Sequence, residues 1–135
     1  MIVADASVVL DLVLGGGSEA GDALAARLRV GEVVCAPHLV DAEVGQGLRR
    51  YVLRGELSSD RGAEMVRDFL DLPITRYPHR GLLERAFSFL ASVTVYDALY
   101  LALAEGLDCP LLTGDRALRV VPGCTAEVEV VATTA

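Results

Sequence analysis

The sequence predicts an α/β fold built on a parallel sheet, and three observations carry that expectation. Apolar runs at 1–4, 33–36 and 109–113, with a short strand-length segment at 74–77, have the length of strands and alternate along the chain with segments of helical period. Two of these runs lead straight into aspartates, Asp5 after the first and Asp115, behind Gly114, after the last. Between them, Ala98 to Ala104 is apolar on every side, the pattern of a helix enclosed in a core. In open sheets of this class ligands bind outside the carboxyl ends of the strands, so both aspartates stand at candidate site positions.

At 135 residues the chain is expected to be a single domain, 1–135, with one core. Its 53% hydrophobic content exceeds what a small soluble monomer needs, which predicts that a partner covers some apolar surface. No apolar run reaches the length of a membrane span, and Asp5 and Asp11 interrupt the opening segment, unlike a signal peptide; a cytoplasmic protein without a membrane partner is expected. The cysteines Cys35, Cys109 and Cys124 are odd in number and match neither a zinc spacing nor a disulfide framework, so reduced thiols are expected. All 12 basic residues are arginines, which removes every mechanism that needs a lysine. The net charge of -7 weighs against a nonspecific nucleic-acid binder, although a cluster of metal-binding acids also makes an apoprotein acidic.

Taken in order, Met1 to Ala4 form the first strand, and Ser7 can cap a helix carrying Val8, Val9, Leu12 and Val13 that ends in Gly15 to Gly17. Those glycines follow a helix and therefore do not make a phosphate-binding loop. A second helix is expected over 18–28 and a strand over 33–36. Pro37 opens a long helix that stops at Gly55, with an apolar stripe of Leu39, Val40, Val44, Leu48, Tyr51 and Val52. Glu43 falls inside that stripe, whereas Asp41 points elsewhere. A carboxylate there costs several kcal/mol unless an arginine pairs with it or a cation binds it. Gly45 and Gly47 weaken this helix by roughly 1 kcal/mol each relative to alanine, so close packing is expected against it.

Ser58 begins a helix with Met65, Phe69 and Leu70 inward, ended by Pro73; Ile74 to Tyr77 follow as a short strand. A helix is expected over 79–90 with Leu82, Leu83, Ala86, Phe87 and Leu90 in the core, and no role falls to His38 or His79. Thr94 and Asp97 have the spacing of a capping box, which puts Asp97 in the first turn of the enclosed helix; Gly106 is its expected stop. Arg116 to Arg119 form a turn, and Glu127 to Val131 alternate like an edge strand. Taken singly, Asp97 could simply complement the helix macrodipole and Asp115 could simply make a turn.

Together, Asp5, Glu43, Asp97 and Asp115 could meet at one edge of a parallel sheet. Carboxylates so gathered repel, and some stay protonated at neutral pH unless a cation intervenes. An all-oxygen set without His or Cys suits Mg2+ or Mn2+, and such a set suits hydrolysis of phosphodiesters without a protein nucleophile.

The same residues carry a family resemblance. Val3-Ala4-Asp5-Ala6-Ser7, the helix Leu39 to Arg50 with Glu43, Val95-Tyr96-Asp97-Ala98-Leu99-Tyr100 with Ala102-Leu103-Ala104-Glu105, and Leu112-Thr113-Gly114-Asp115-Arg116 resemble, in order, the four motifs of PIN-domain ribonucleases of the VapC type. These are the toxin half of bacterial VapBC toxin-antitoxin pairs. The resemblance implies a PIN-like three-layer sandwich with a central parallel sheet and magnesium-dependent endonucleolytic cleavage of RNA. It also implies homodimerisation and a cognate antitoxin that blocks the site. It maps the metal and catalytic acids onto Asp5, Glu43, Asp97 and Asp115, with Ser7 and Thr113 orienting those carboxylates. Apart from the resemblance, Arg49, Arg50, Arg54, Arg76, Arg80, Arg85, Arg116 and Arg119 could each touch RNA phosphate, and Arg116, beside Asp115, is the best candidate among them. Some relatives carry a further acid two positions after the fourth; here that position is Ala117, which predicts a weakly held second ion.

Other α/β readings meet specific obstacles. A receiver domain and a haloacid-dehalogenase-type phosphatase both need a lysine, and the latter also needs Asp-x-Asp where this chain has Asp5-Ala6-Ser7. A dinucleotide-binding fold lacks its glycine fingerprint after the first strand. The rival from another class is a catalytically silent PIN module that binds RNA or a protein partner. Loss of an acid would mark it, and all four are present.

Overall fold

The computed structural model describes residues 1–134. Each expected strand forms: β1 is Ile2–Ala4, β2 Val34–Pro37, β3 Ile74–Tyr77 and β4 Leu111–Thr113, with β5, Val128–Val130, after them. Every pairing is parallel and the order across the sheet is β3-β2-β1-β4-β5. β1, β2 and β4 are buried along their whole length, which is why they carry continuous apolar runs instead of alternation. β5 is a half-buried edge strand, as its alternating sequence predicts.

The helices are α1, Ala6–Leu14; α2, Glu19–Arg29; α3, Leu39–Leu53; α4, Ser59–Asp71; α5, Leu83–Phe87; and α6, Val95–Leu107, with a 3-10 turn at Arg116–Val120. α1 to α4 pack on one another, whereas α5 packs on α6 and α6 lies against β1, β2 and β4. Right-handed crossovers place these two groups on opposite faces of the sheet, which gives three layers. The chain winds outward from β1 to β3 and then returns to β4 on the other side of β1. That reversal opens a crevice at the carboxyl ends of β1 and β4, where Asp5 and Asp115 stand.

Several local expectations are corrected. Asp5, not Ser7, caps α1: its Oδ1 accepts the N–H groups of Ser7 and Val8 at 3.0 and 3.2 Å, and Ser7 lies inside the first turn. Pro37 ends β2 instead of opening α3, and α3 starts without a side-chain cap from His38. His79 supplies the missing acceptor, with its Nε2 taking the Leu39 N–H at 2.9 Å. The helix expected over 79–90 is only the five residues of α5. Its inward ridge is Ala86 with Phe89 following, while Leu83, Phe87 and Leu90 are 50%, 50% and 64% exposed. Leu70 likewise faces out. α6 continues past Gly106 and closes on Asp108, which takes the left-handed conformation at φ 50°.

Gly47 justifies the expected close packing, because a Cβ there would stand 2.6 Å from Leu10 of α1. Gly45 has open space around it. The three cysteines are free thiols. Among the described residues no helix is long and apolar enough to cross a membrane.

Candidate active site

The strand register builds one half of the site. Val3 pairs with Leu111 and Ala4 with Leu112, so the next step sets Asp5 beside Thr113. The Thr113 hydroxyl is fully buried and donates to Asp5 Oδ2, while it accepts the N–H of Asp115 at 3.0 Å. One threonine therefore ties the first acid to the turn that carries the fourth. On the other oxygen, Asp5 Oδ1 takes the Ser7 hydroxyl at 2.5 Å together with its two capping N–H groups. Asp115 caps the 3-10 turn through the N–H of Ala117 at 2.9 Å.

The other half comes from two helices. Thr94 caps α6 by accepting the Asp97 N–H at 3.2 Å, which fixes Asp97 in the first turn with its carboxyl group free of that bond. One turn later on the same face, the Tyr100 phenol donates to Glu43 Oε1 of α3 at 2.7 Å. The buried-arginine alternative for Glu43 does not hold, since its hydrogen-bond partner is this tyrosine.

Asp5, Glu43, Asp97 and Asp115 line a single pocket of about 480 Å³, and Ser7 lines it too. Asp41 instead pairs with Arg76 at 2.7 Å. Asp11 is buried elsewhere, accepting the N–H and hydroxyl of Thr134. Arg116 is exposed on the 3-10 turn and does not line the pocket. The pocket also brings in Arg50, one of the arginines that could touch phosphate, and Leu39, Gln46, Tyr96 and Tyr100, to which the sequence reading gave no role in a site. Leu39, Glu43, Gln46 and Arg50 share one stripe of α3, so helical spacing from Glu43 could have found the last two. Tyr100 was hidden among apolar neighbours.

The electrostatics reflect the crowding. Burial pushes the Asp5 carboxyl above its usual range, against the pull of its hydrogen bonds from Ser7, Thr113 and Val8. Glu43 is raised by burial, partly offset by the Tyr100 hydrogen bond, with Asp97 and Asp5 adding repulsion. Asp97 is raised by burial and then by the charges of Asp115 and Asp5. The Tyr100 phenol is held firmly protonated by burial and by the Glu43 charge, and so remains a donor. Among the described residues no three acidic, histidine or cysteine side chains stand close enough, as placed, to share an ion. The donor chemistry is nevertheless that of a hard-cation site, because every candidate ligand atom is a carboxylate oxygen.

Residues 2–123 match the family model of the PIN domain. This chain belongs to the PIN-domain family. Its relatives include ribonuclease VapC12 of Mycobacterium tuberculosis, 44% identical over 132 residues that cover 98% of this chain and 100% of the relative. Ribonuclease VapC1 of the same organism is 43% identical and covers 96% of each chain. Among solved structures, VapBC2 from Rickettsia felis bound to a promoter DNA fragment superposes with a TM-score of 0.70 at 12% identity, covering 97% of this chain and 99% of that one. Mycobacterium tuberculosis VapC20, a sarcin-ricin loop cleaving toxin, gives 0.58 at 18% identity over 81% of this chain and 85% of its own. The parallel five-stranded sheet of this PIN domain is the architecture these structures share.

Proposed function

We propose that this PIN domain is the endoribonuclease toxin of a type II toxin-antitoxin module, with the pocket between β1, β4, α3 and α6 as its active site. The single observation that carries the reading is the convergence of Asp5, Glu43, Asp97 and Asp115 on one pocket from four separate stretches of sequence. The full-length similarity to VapC ribonucleases supports RNA as the substrate.

The all-oxygen chemistry of the four carboxylates suits a magnesium or manganese ion that draws them together on binding, with Asp5 and Asp97 as the leading ligands. When bound, such an ion supplies a more acidic water and neutralises charge on the phosphate. The protein's own residues do the positioning. Ser7 and Thr113 fix both oxygens of Asp5, Thr94 fixes the turn bearing Asp97, and Tyr100 fixes Glu43. Because the pocket is lined by four acids, it repels a polyanion until cations offset them, which makes RNA binding dependent on the loaded site.

Similarity to VapC ribonucleases and the shared fold with VapBC2 support a cognate antitoxin as partner. The exposed side chains of Leu83, Phe87 and Leu90 support a homodimer, since a contiguous apolar patch calls for cover. The test is cleavage of purified RNA by the wild type and by Asp5→Asn with magnesium, manganese or chelator. Cleavage by wild type alone, lost in chelator, is the expected result. Equal cleavage by Asp5→Asn would overturn the assignment and favour the silent-module reading of this pocket.

A further inference from the structure

The acids leave several exposed residues of the pocket without a task, Arg50 and Tyr96 among them. Arg50 is exposed on α3, two turns beyond Glu43, and its side chain takes part in no hydrogen bond or ion pair among the described residues. Helical side chains lean toward the N-terminus of their helix, so the Arg50 guanidinium leans back toward Glu43, and its charge lowers the Glu43 pKa. Among the described residues it is the sole arginine that lines the pocket. From α6, Tyr96 stands beside Asp97 with 62% of its surface exposed, and its ring stacks on no other aromatic or cation among the described residues.

A cation and an uncovered aromatic ring, both beside a site for phosphodiester chemistry, match the two recurring parts of a nucleotide strand. An arginine pairs with phosphate oxygens, and an aromatic face stacks on a base of any identity. We propose that Arg50 and Tyr96 hold the RNA strand across the pocket: Arg50 binds a phosphate neighbouring the one that is cut, and Tyr96 stacks on an adjoining base. This rests on the ribonuclease reading and deepens it. It also moves the phosphate contact from Arg116, on the outer turn, to the arginine that shares a wall with Glu43. Arg50 is not required to neutralise Glu43, which already has the Tyr100 hydrogen bond.

Fluorescence anisotropy of a fluorescein-labelled single-stranded RNA of mixed sequence, with calcium in place of magnesium to slow turnover, tests this. Both side chains are exposed, so their variants are expected to fold as the wild type does. Tyr96→Ala should weaken binding roughly tenfold or more, while Tyr96→Phe, which keeps the ring, stays close to wild type. Arg50→Ala should reduce the slope of log K against log salt by about 0.7, the value of one phosphate contact on a single strand, and Arg50→Lys should restore it. An arginine that served only to balance Glu43 would leave that slope unchanged. Wild-type binding with unaltered affinity in Tyr96→Ala and an unaltered slope in Arg50→Ala would overturn the clamp and leave the ribonuclease reading standing. Absence of RNA binding by the wild type would overturn both.

Discussion

The Tyr100 phenol donates a 2.7 Å hydrogen bond to Oε1 of Glu43, joining α6 to α3 across the pocket. The tyrosine ring is buried among apolar neighbours, so packing fixes the hydroxyl and the hydroxyl fixes the carboxylate. Tyr100→Phe keeps the ring and removes only the donor. It should lower stability by about 1 kcal/mol and reduce manganese affinity or RNA cleavage roughly 10- to 100-fold, the usual effect of losing a group that orients a ligand. Manganese titration and chemical denaturation on one sample check both; unchanged manganese affinity would show that Glu43 needs no orientation.

Gly45 and Gly47 separate two effects on one helix. At Gly45 an added Cβ meets nothing within 4 Å, so Gly45→Ala should stabilise the protein by about 0.5–1 kcal/mol through helix propensity. At Gly47 the same atom would press on the Leu10 methyl at 2.6 Å. There the overpacking, about 1–3 kcal/mol, exceeds the propensity gain and the variant should be less stable. Urea midpoints of the two variants should move in opposite directions.

What the sequence showed depended on how many independent signals met at a residue. Asp5 and Asp115 were legible because strand runs end at both, and Glu43 because a charge interrupts an apolar stripe. The strand order β3-β2-β1-β4-β5 was not legible, since apolar runs announce strands without naming their neighbours. Over 79–90 the expected core stripe of Leu82, Leu83, Ala86, Phe87 and Leu90 was too broad: periodicity alone does not choose among neighbouring ridges, and tertiary packing buried Ala86 and Phe89 with Leu82 against them and left Leu83, Phe87 and Leu90 outside. Tyr100 escaped notice because a phenol in a run of leucines and alanines looks like core, and it is core apart from its oxygen. His79 escaped because its partner, the Leu39 N–H, lies 40 residues away in sequence.

Away from the pocket, Glu105 of α6 clamps two segments. It accepts from the Arg85 guanidinium at 2.7 and 2.9 Å and from the N–H and hydroxyl of Thr125 at 2.7 and 3.1 Å. The Arg85 hydrogen bond, first among these, pulls its pKa down from 4.5 to about 2. A depressed acid contributes stability that is present above its unfolded value and is lost as the pH falls toward the folded one. Glu105→Gln should therefore be less stable than wild type at neutral pH, with the gap closing between about pH 4.5 and pH 2. Thermal melts across that range measure it.

The pocket acids have the opposite sign. Burial raises Asp5, Glu43 and Asp97, so above their ordinary values the folded metal-free protein binds more protons than the unfolded chain. Stability must then fall as the pH rises from about 4 through the raised values, and a cation in the pocket should reverse the fall. Asp97→Asn removes one of the three charges. It leaves the backbone N–H of residue 97 bonded to Thr94, so the cap of α6 survives the change. The metal-free variant should match or exceed wild type in stability at neutral pH, show a shallower decline with pH, and fail to cleave RNA. An Asp97 that merely complements the helix dipole predicts the reverse: a loss of about 0.3–1 kcal/mol with cleavage intact. Denaturation curves with and without magnesium, together with one cleavage assay, decide between them. Full magnesium-dependent cleavage by Asp97→Asn would remove Asp97 from the catalytic set, whatever its place beside Asp5 and Asp115.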